Sequence, residues 1–378
     1  MEKKFPKKLL SLLDKRKGEN NFRELSLSSK KLIDFSSNDY LGFSKNPALK
    51  KEKEKIVKQH QLRQEGSTGA RLISGNSLLA QQTEKQIAKF HHGETALIFN
   101  SGYDANTGLL SSVPQKRDLV LYDELCHSSI IDGVRQSFAD SYKFRHNDVE
   151  HLERLLERNA AAETIYVVTE SVFSMDGDCA PLKKISALCK KHNAFLIVDE
   201  AHATGVFGKE GRGLCNAAGI EKDCFARVYT FGKALGVHGA AVVGSKDLQN
   251  YLINFARSFI YTTALPPASI ASVSAAYSLL RKNKSKSSLE KNIKLFNKLT
   301  SAFSSKIKSE SAIHCFLIPG NENVIKASAS LQKKGFDVRA IKSPTVREGR
   351  ERLRVCLHAT NSEAEIKKLA AELKSIFY

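Results

Sequence analysis

Two stretches of this chain are the most informative: Ala194-Phe195-Leu196-Ile197-Val198-Asp199-Glu200-Ala201-His202 and Thr230-Phe231-Gly232-Lys233-Ala234-Leu235-Gly236. The first is an apolar run that ends at Asp199, which is typical of a buried strand. The second follows another apolar run, between Phe225 and Tyr229, and places Lys233 between two glycines. A carboxylate and an amine at the ends of buried strands are unfavourable unless a partner compensates their charges. The pattern therefore indicates that a ligand binds between them.

Pyridoxal phosphate (PLP) is a ligand that needs both groups. Its aldehyde reacts with a lysine amine, and its ring nitrogen stays protonated beside a carboxylate. We therefore predict that Lys233 holds the aldehyde and that Asp199 pairs with the ring nitrogen. Each residue also has an ordinary interpretation, a solvated lysine and an aspartate that caps the turn after its strand. No G-x-x-x-x-G-K-[ST] motif is present, so a nucleotide-binding P-loop is not supported.

The rest of the chain predicts an α/β fold, because short apolar runs alternate with helical patterns. We expect a mainly parallel sheet that is covered on both faces. The predicted strands are 96–99, 119–122, 164–168, 195–198 and 240–243, and helices are predicted at 149–156 and 182–192. An N-terminal helix and a short strand at 32–35 precede them. Helices at 268–280, 289–303 and 362–376 and strands at 312–318 and 352–357 follow.

This alternation predicts three parts. Residues 1–44 form an N-terminal segment, residues 45–265 a large PLP-binding domain, and residues 266–378 a small α+β domain. The boundary before the small domain is the stretch Tyr261-Thr262-Thr263-Ala264-Leu265-Pro266-Pro267, after which long helical patterns begin.

Composition limits where the protein acts and what it binds. The seven cysteines are scattered and contain no C-x-x-C pair, which favours reduced thiols over a disulfide framework or a zinc site. No run is long enough to span a membrane, and no secretory signal is evident. We therefore predict a cytoplasmic protein with no membrane contact and no bound metal.

The net charge of +19 raises the alternative of a nucleic-acid-binding protein. The lysines are dispersed, however, and no nucleic-acid motif accompanies them, so we predict no nucleic-acid partner. Attraction of an acidic substrate or carrier and simple solubility both remain open as explanations of the charge.

Three further residues are candidates for holding the PLP phosphate. Gly102 and Tyr103 follow a predicted strand and open a helix, where free backbone N–H groups bind anions. Thr230, three residues before Lys233, offers a hydroxyl. An ordinary strand-to-helix turn is an equally good interpretation of the glycine.

Three other residues are candidates for contacting the ring. His127 follows the strand that ends at Tyr122 and could stack on the pyridine, although a helix cap is a common role for such a histidine. His202 and Ser174 could bond the phenolic oxygen, or they could be an ordinary loop histidine and turn serine. The candidates share one property: they lie at or after strand ends, where open α/β sheets bind ligands.

In this combination the sequence resembles the α-oxoamine synthases, PLP enzymes of fold type I, over nearly the whole chain. The matching segments are Phe35–Gly42, Gly66–Arg71 with Ser74-Gly75, Ser174–Gly177, Asp199–His202 and Thr230–Gly236. The resemblance implies PLP as cofactor, and it implies catalytic roles for Lys233, His127, Asp199 and His202.

The resemblance also implies a substrate site. Arg354 would pair with an amino acid carboxylate, and Arg23, Thr345, Asn38 and His127 would bind substrate. Members of the family usually form homodimers with shared active sites. Thr262 would then reach the phosphate in the neighbouring subunit.

Some features resemble one branch of the family, which condenses L-alanine with a pimeloyl thioester in biotin synthesis. These features are Arg145–Val149, Ile260–Thr263, Pro344–Val346 and Arg352–Arg354. The thioester carrier would be coenzyme A or acyl carrier protein. Glycine with acetyl-CoA, serine with a long-chain thioester, and a PLP aminotransferase reaction remain alternatives. Departures from the family pattern at Ala203, Arg347, His358 and Asn361 lie on the substrate side.

Overall fold

The computed structural model of the chain describes residues 5–25, 27, 31–282 and 284–377. Its helices are α1 Lys7–Gly18, α2 Pro47–Gln59, α3 Leu78–Phe90, α4 Gly102–Ser112, α5 Ser128–Gln136, α6 Val149–Arg158, α7 Leu182–Lys191, α8 Leu214–Ala218, α9 Lys246–Phe255, α10 Arg257–Ile260, α11 Pro267–Leu280, α12 Ser285–Leu299, α13 Asn321–Lys333 and α14 Glu363–Phe377. Its strands are β1 Ile33–Asp34, β2 Thr95–Phe99, β3 Leu119–Asp123, β4 Asp140–Phe144, β5 Ile165–Glu170, β6 Phe195–Asp199, β7 Cys224–Thr230, β8 Ala240–Gly244, β9 Ile313–Leu317, β10 Phe336–Asp337, β11 Arg339–Ile341 and β12 Arg352–Cys356.

The chain divides into two compact units. The large unit comprises residues 38–174 and 179–290, and the small unit comprises the described residues of 1–37, 175–178 and 291–378. The three-part division predicted from the sequence stays a prediction. Among the described residues, no helix is both long and apolar enough to cross a bilayer.

The large unit contains a seven-stranded sheet with the order β2-β8-β7-β6-β5-β3-β4. β8 pairs antiparallel with both of its neighbours, and the other pairs are parallel. Strands β3 and β5 are buried along their whole length, as expected for a sheet covered on both faces. The predicted mainly parallel α/β fold is therefore confirmed.

Local sequence positions two helices at the carboxyl edge of this sheet. The Ser101 hydroxyl accepts a hydrogen bond from the Asp104 N–H and so caps the start of α4. The His127 side chain does the same for α5, where Nδ1 accepts from the Ser129 N–H. Because Ser101 and His127 lie only two and four residues after the ends of β2 and β3, the first turns of α4 and α5 lie near the strand ends.

The small unit contains an antiparallel sheet with the order β11-β12-β9 and a parallel pair, β1 with β10. The predicted strands near 312–318 and 352–357 are confirmed as β9 and β12. The helix predicted at 289–303 ends earlier, at Leu299. There the Thr300 hydroxyl donates to the Phe296 carbonyl, and such side-chain bonds compete with continuation of the helix.

Candidate active site

A cavity of about 280 Å³ lies in the large unit, at the carboxyl ends of its parallel strands. Its lining comes from the segments that follow β2, β3, β6 and β7, with Glu170 at the end of β5. The lining residues are Asn38, Ser101, Gly102, Tyr103, Asn106, His127, Ser129, Glu170, Asp199, Ala201, Thr230, Gly232, Lys233, His238 and Gly239. Most of the residues predicted to bind PLP are thus brought to one cavity.

Lys233 is half-buried and contacts His202, which is buried. The Lys233 amine lies 2.8 Å from His202 Nε2, and His202 Nδ1 lies 2.7 Å from the Tyr40 hydroxyl. That hydroxyl donates to Asn38 Oδ1 at 3.2 Å, so its oxygen accepts from the Nδ1–H of His202. In this tautomer Nε2 of His202 is the acceptor for the Lys233 amine.

Asp199 is buried, yet both of its carboxylate oxygens accept hydrogen bonds. The Ala201 N–H donates to Oδ1 at 2.8 Å, and the Asn106 side-chain amide donates to Oδ2 at 2.8 Å. Donors to the ionised form of a carboxylate stabilise its charge. The arrangement can therefore hold a negative charge where a protonated ring nitrogen needs one.

Glu170 lies beside Asp199, because the two residues are Cα partners in the parallel pair of β5 and β6. Its Oε1 accepts the backbone N–H of His127 at 2.6 Å. Burial, and then the nearby charge of Asp199, raise the pKa of Glu170 to about 8. Of two adjacent buried carboxyl groups, Glu170 therefore carries the proton at neutral pH.

His127 lies on the cavity wall with part of its surface open to solvent, and Ser129 and Asn106 are buried. Its Nδ1 lies 2.8 Å from the Ser129 hydroxyl. Desolvation within the cavity lowers the pKa of His127, which favours the neutral ring. A neutral, exposed imidazole on the cavity wall is suited to stack on a flat aromatic ligand. We call His127, Ser129, Asn106, Asp199 and Glu170 the acid end of the cavity.

We call Gly102, Tyr103 and Thr230 the anion end. The amides of Gly102 and Tyr103 are in the first turn of α4, where no helical acceptor is available. A Cβ at Gly102 would lie 2.4 Å from Thr230 Cγ2, so only glycine fits there without displacement. The hydroxyl of Thr230 is buried and has no hydrogen-bond partner among the described residues. A buried hydroxyl without a partner, next to free backbone N–H groups at the start of a helix, is suited to bind the phosphate of PLP.

Three residues predicted to bind PLP do not line this cavity, and one of them, His202, is buried against the Lys233 amine. Ser174 is buried in the turn after β5. Thr262 lines a different cavity of about 50 Å³, together with Ser67 and Arg71, and accepts a hydrogen bond from the Asn100 side chain at 3.0 Å. Their roles as PLP contacts stay predictions.

The predicted substrate residues Arg23, Thr345 and Arg354 belong to the small unit. Arg23 donates to the Thr345 hydroxyl at 3.3 Å, and both residues are exposed. Arg354 is buried in β12, where Nη1 lies 3.0 Å from Cys356 Sγ. The structure therefore brings Arg23 and Thr345 together, and their roles in binding substrate stay predictions.

The departures at His358 and Asn361 have a structural function in this chain. The His358 ring nitrogens lie 3.1 Å from the Asp34 carbonyl and 3.0 Å from the Ser37 carbonyl. Asn361 donates to the same Asp34 carbonyl at 3.2 Å. These two side chains thus hold the segment after β1 within the small unit.

Sequence reasoning missed Glu170, Asn106 and Ser129. Glu170 could have been found, because it ends the apolar run of β5 as Asp199 ends that of β6. Asn106 and Ser129 carry no such signal, since each is a polar residue inside a helix.

The chain is similar to several known proteins. Residues 30–373 match the family model described as aminotransferase class I and II. An 8-amino-7-oxononanoate synthase of Emericella nidulans is 41% identical over 366 residues, covering 91% of this chain and 89% of that protein. Two solved structures are also similar. The 8-amino-7-oxononanoate synthase of Francisella tularensis has a TM-score of 0.78 at 30% identity, over 93% of this chain and 100% of that one. A serine palmitoyltransferase from S. paucimobilis, solved with a bound PLP adduct, has a TM-score of 0.89 at 27% identity, over 98% and 96%.

The chain therefore belongs to the class I and II aminotransferase family, and within it to the α-oxoamine synthases. It is an enzyme of fold type I, and its cofactor is PLP. The orphaned Thr230 hydroxyl and the space at Gly102 agree with that cofactor.

Proposed function

We propose that the protein condenses L-alanine with a pimeloyl thioester and releases 8-amino-7-oxononanoate, carbon dioxide and the free thiol carrier, in biotin synthesis. Support comes from the 41% identity to an 8-amino-7-oxononanoate synthase. The observation that carries the proposal is a single cavity lined by Lys233, Asp199 and Thr230. The buried Thr230 hydroxyl has no hydrogen-bond partner among the described residues. Arg23 beside Thr345 supports a dicarboxylic acyl chain, because its far carboxylate needs a cation.

The proposed roles of the residues rest on their positions in the chain and on the family resemblance. Lys233 would hold the PLP aldehyde, and Asp199 would pair with the ring nitrogen. Gly102, Tyr103 and Thr230 would bind the phosphate, and Ser174 would contact the phenolic oxygen. When bound, PLP withdraws electrons from the α-carbon of an amino acid. The Asn106 side chain and the Ala201 N–H stabilise the ionised carboxylate of Asp199, so that it can pair with a protonated ring nitrogen.

Lys233 is also the proposed base that takes the proton from the α-carbon of alanine. A base must be neutral to accept a proton. His202 Nε2, 2.8 Å away, accepts a hydrogen from the lysine amine and orients it. Tyr40 fixes the tautomer of His202 that makes this possible. Arg354 would hold the alanine carboxylate through its planar guanidinium fork.

The test is a panel of amino acids and acyl thioesters with the purified, PLP-loaded protein. We expect L-alanine with a pimeloyl thioester to give the highest kcat/KM, with equal amounts of thiol and carbon dioxide released. A preference for serine with a long-chain thioester, or for glycine with acetyl-CoA, would replace this proposal with another α-oxoamine synthase reaction. Conversion of PLP to its amine form without thiol release would indicate an aminotransferase.

The Lys233→Ala variant is the matched negative control for that panel. We expect it to lose turnover by at least about a thousandfold, because it removes both the covalent contact to PLP and the base. Lys246→Ala should be neutral, since Lys246 is an exposed lysine that contacts Gln249. Retained activity in Lys233→Ala would contradict the proposed mechanism.

We also propose a cytoplasmic homodimer. The position of Thr262 outside the cavity of its own chain supports the homodimer, because this residue is predicted to reach the neighbouring site. The free thiols of the seven cysteines in the described residues support the cytoplasm. Mixing Thr262→Ala and Lys233→Ala proteins tests it. If sites are shared, hybrid dimers should contain one site with both changes and one with neither, and activity should exceed that of either variant alone.

A further inference from the structure

The orientation of His127 depends on two buried residues that line the cavity with it, Ser129 and Asn106. Two donors converge on its Nδ1 atom: the Ser129 N–H at 3.2 Å and the Ser129 hydroxyl at 2.8 Å. A ring nitrogen that accepts the backbone N–H carries no proton. The proton of a neutral His127 ring is then on Nε2.

Asn106 determines that the Ser129 hydroxyl acts as a donor toward His127. The Asn106 side-chain amide donates to Asp199 Oδ2 at 2.8 Å and to Ser129 Oγ at 3.0 Å. A reversed amide would place its oxygen against the Asp199 carboxylate, so the orientation is settled by that charge. Since Ser129 Oγ accepts from Asn106, its own hydrogen is available for His127 Nδ1.

The arrangement connects the two sides of the proposed PLP site. Asp199 would bind the edge of the pyridine ring at its nitrogen, and His127 would stack on the ring face. Asn106 and Ser129 are buried, and each contacts both of its neighbours in the series Asp199, Asn106, Ser129, His127.

We propose that Asn106 and Ser129 are positioning residues that hold His127 as a neutral ring protonated at Nε2. This inference rests on the proposed role of His127 against the PLP ring. A cationic imidazole stacked on a cationic pyridine would be repelled, and the ring would bind less tightly. The Asn106–Ser129 pair opposes formation of the imidazolium, because it directs a hydrogen-bond donor at Nδ1, the nitrogen that would take up the second proton.

The charges around His127 show why such a device is needed. Asp199 and Asp132 both favour the imidazolium, whereas Lys233 and desolvation oppose it. Glu170 accepts the His127 backbone N–H and is itself mostly protonated at neutral pH. Without the Ser129 hydroxyl, His127 Nδ1 would lose one of its two hydrogen-bond donors. Asp199 and Asp132 would still favour the protonated ring, so the cation would form more readily.

The experiment compares wild type, Ser129→Ala and Asn106→Ala by ¹⁵N NMR of the PLP-loaded protein, with nitrogen labelled only in histidine rings. The His127 signal is assigned from its loss in His127→Gln. In wild type we expect Nδ1 unprotonated and Nε2 protonated through about pH 6 to 8. In Ser129→Ala we expect the His127 pKa to rise and the Nδ1–H tautomer to appear.

PLP affinity provides a second readout. Ser129→Ala should bind PLP about three- to tenfold more weakly below the His127 pKa of the variant, and the difference should shrink at higher pH. Ser128→Ala is the matched control, because Ser128 is the exposed neighbour in the same helical turn. Asn106→Ala should change the His127 signals in the same direction, although it also removes a donor from Asp199.

Three results would overturn the inference: a protonated Nδ1 in wild type, an unchanged His127 titration in Ser129→Ala, or an equal change in Ser128→Ala. The readout does not involve alanine or a thioester. If the substrate panel fails while His127 keeps the expected tautomer, only the proposed reaction is lost. If the tautomer is wrong while turnover occurs, only this inference is lost.

Discussion

The two ends of the PLP cavity differ in how completely the protein satisfies its own polar groups. At the acid end, Asp199, Asn106, Ser129 and His127 bond one another in an unbroken series. At the anion end, the buried Thr230 hydroxyl has no partner among the described residues. The polar side chains of that series are thus hydrogen-bonded to one another within the folded chain, whereas the Thr230 hydroxyl is available to bind a ligand.

The difference shows that one cavity can combine rigidity with unused binding capacity. Buried polar groups that bond one another resist rearrangement and preserve their geometry. A buried hydroxyl without a partner destabilises the chain, but it gains a full hydrogen bond when an anion arrives. Substitutions in the bonded series from Asp199 to His127 should therefore affect chemistry and folding, and those at the anion end should affect mainly PLP affinity.

The largest effect should come from the acid end. Asp199→Asn removes the charge that a protonated ring nitrogen requires, so kcat/KM should fall by at least about a hundredfold. The matched control is Glu170→Gln, which replaces a mostly protonated carboxyl by a neutral group of the same shape. We expect it to stay within about threefold of wild type near pH 7. Equal losses in steady-state assays of both variants would mean that Glu170 also acts as a charge.

A substitution at the anion end should weaken PLP binding without altering the acid end. Gly102→Ala places a Cβ 2.4 Å from Thr230 Cγ2, and overpacking of this kind costs about 1–3 kcal/mol. The dissociation constant of PLP should rise about tenfold to a hundredfold in fluorescence titrations. Gly18→Ala is the control, because a Cβ there would meet nothing within 4 Å. Unchanged PLP affinity in Gly102→Ala would place the phosphate elsewhere.

Thr230→Val distinguishes the two ends most directly. It removes a buried hydroxyl that has no partner among the described residues, so the PLP-free protein should be as stable as wild type or about 1 kcal/mol more stable. PLP affinity should nevertheless fall about tenfold, because the phosphate loses a donor. Urea unfolding of the PLP-free protein and PLP titration measure the two effects. Loss of stability in Thr230→Val would show that the hydroxyl is satisfied within the chain.

The last prediction is a pH dependence of stability that comes from Glu170. Its pKa is raised by burial, and next by Asp199, from the ordinary 4.5 to about 8. Between these values the folded chain keeps a proton that the unfolded chain releases, so this residue makes the free energy of unfolding fall as pH rises. The fall should end above about pH 8. Denaturant unfolding of wild type and Glu170→Gln in parallel should show a shallower slope for the variant, and identical slopes would mean that Glu170 is ionised throughout.

Much of the cavity was predictable, because the physical rule that locates it operates along the sequence. Lys233 and Asp199 each follow a buried strand, and the carboxyl ends of parallel strands meet at one edge of a sheet. Glu170 obeys the same rule at the end of β5 and was missed only because its strand was expected to end at Val168.

Other features could not be predicted, because they depend on which elements become neighbours. Asn106 and Asp199 are 93 residues apart in the chain, and Asn106 and Ser129 are 23 apart. Nothing in a helical pattern indicates which polar residue of α4 faces α5 or the end of β6.

The alternation of strands and helices, the residues at strand ends and the membership of the family follow from local burial patterns and short motifs, which are visible in the order of the amino acids. The charges of the site depend instead on tertiary contacts. The tertiary structure placed β5 beside β6, so that two carboxyl groups became neighbours, and it supplied two donors to Asp199 and one to Glu170. Protonation in a buried site depends on the donors and charges within a few ångströms, and those come from distant parts of the chain.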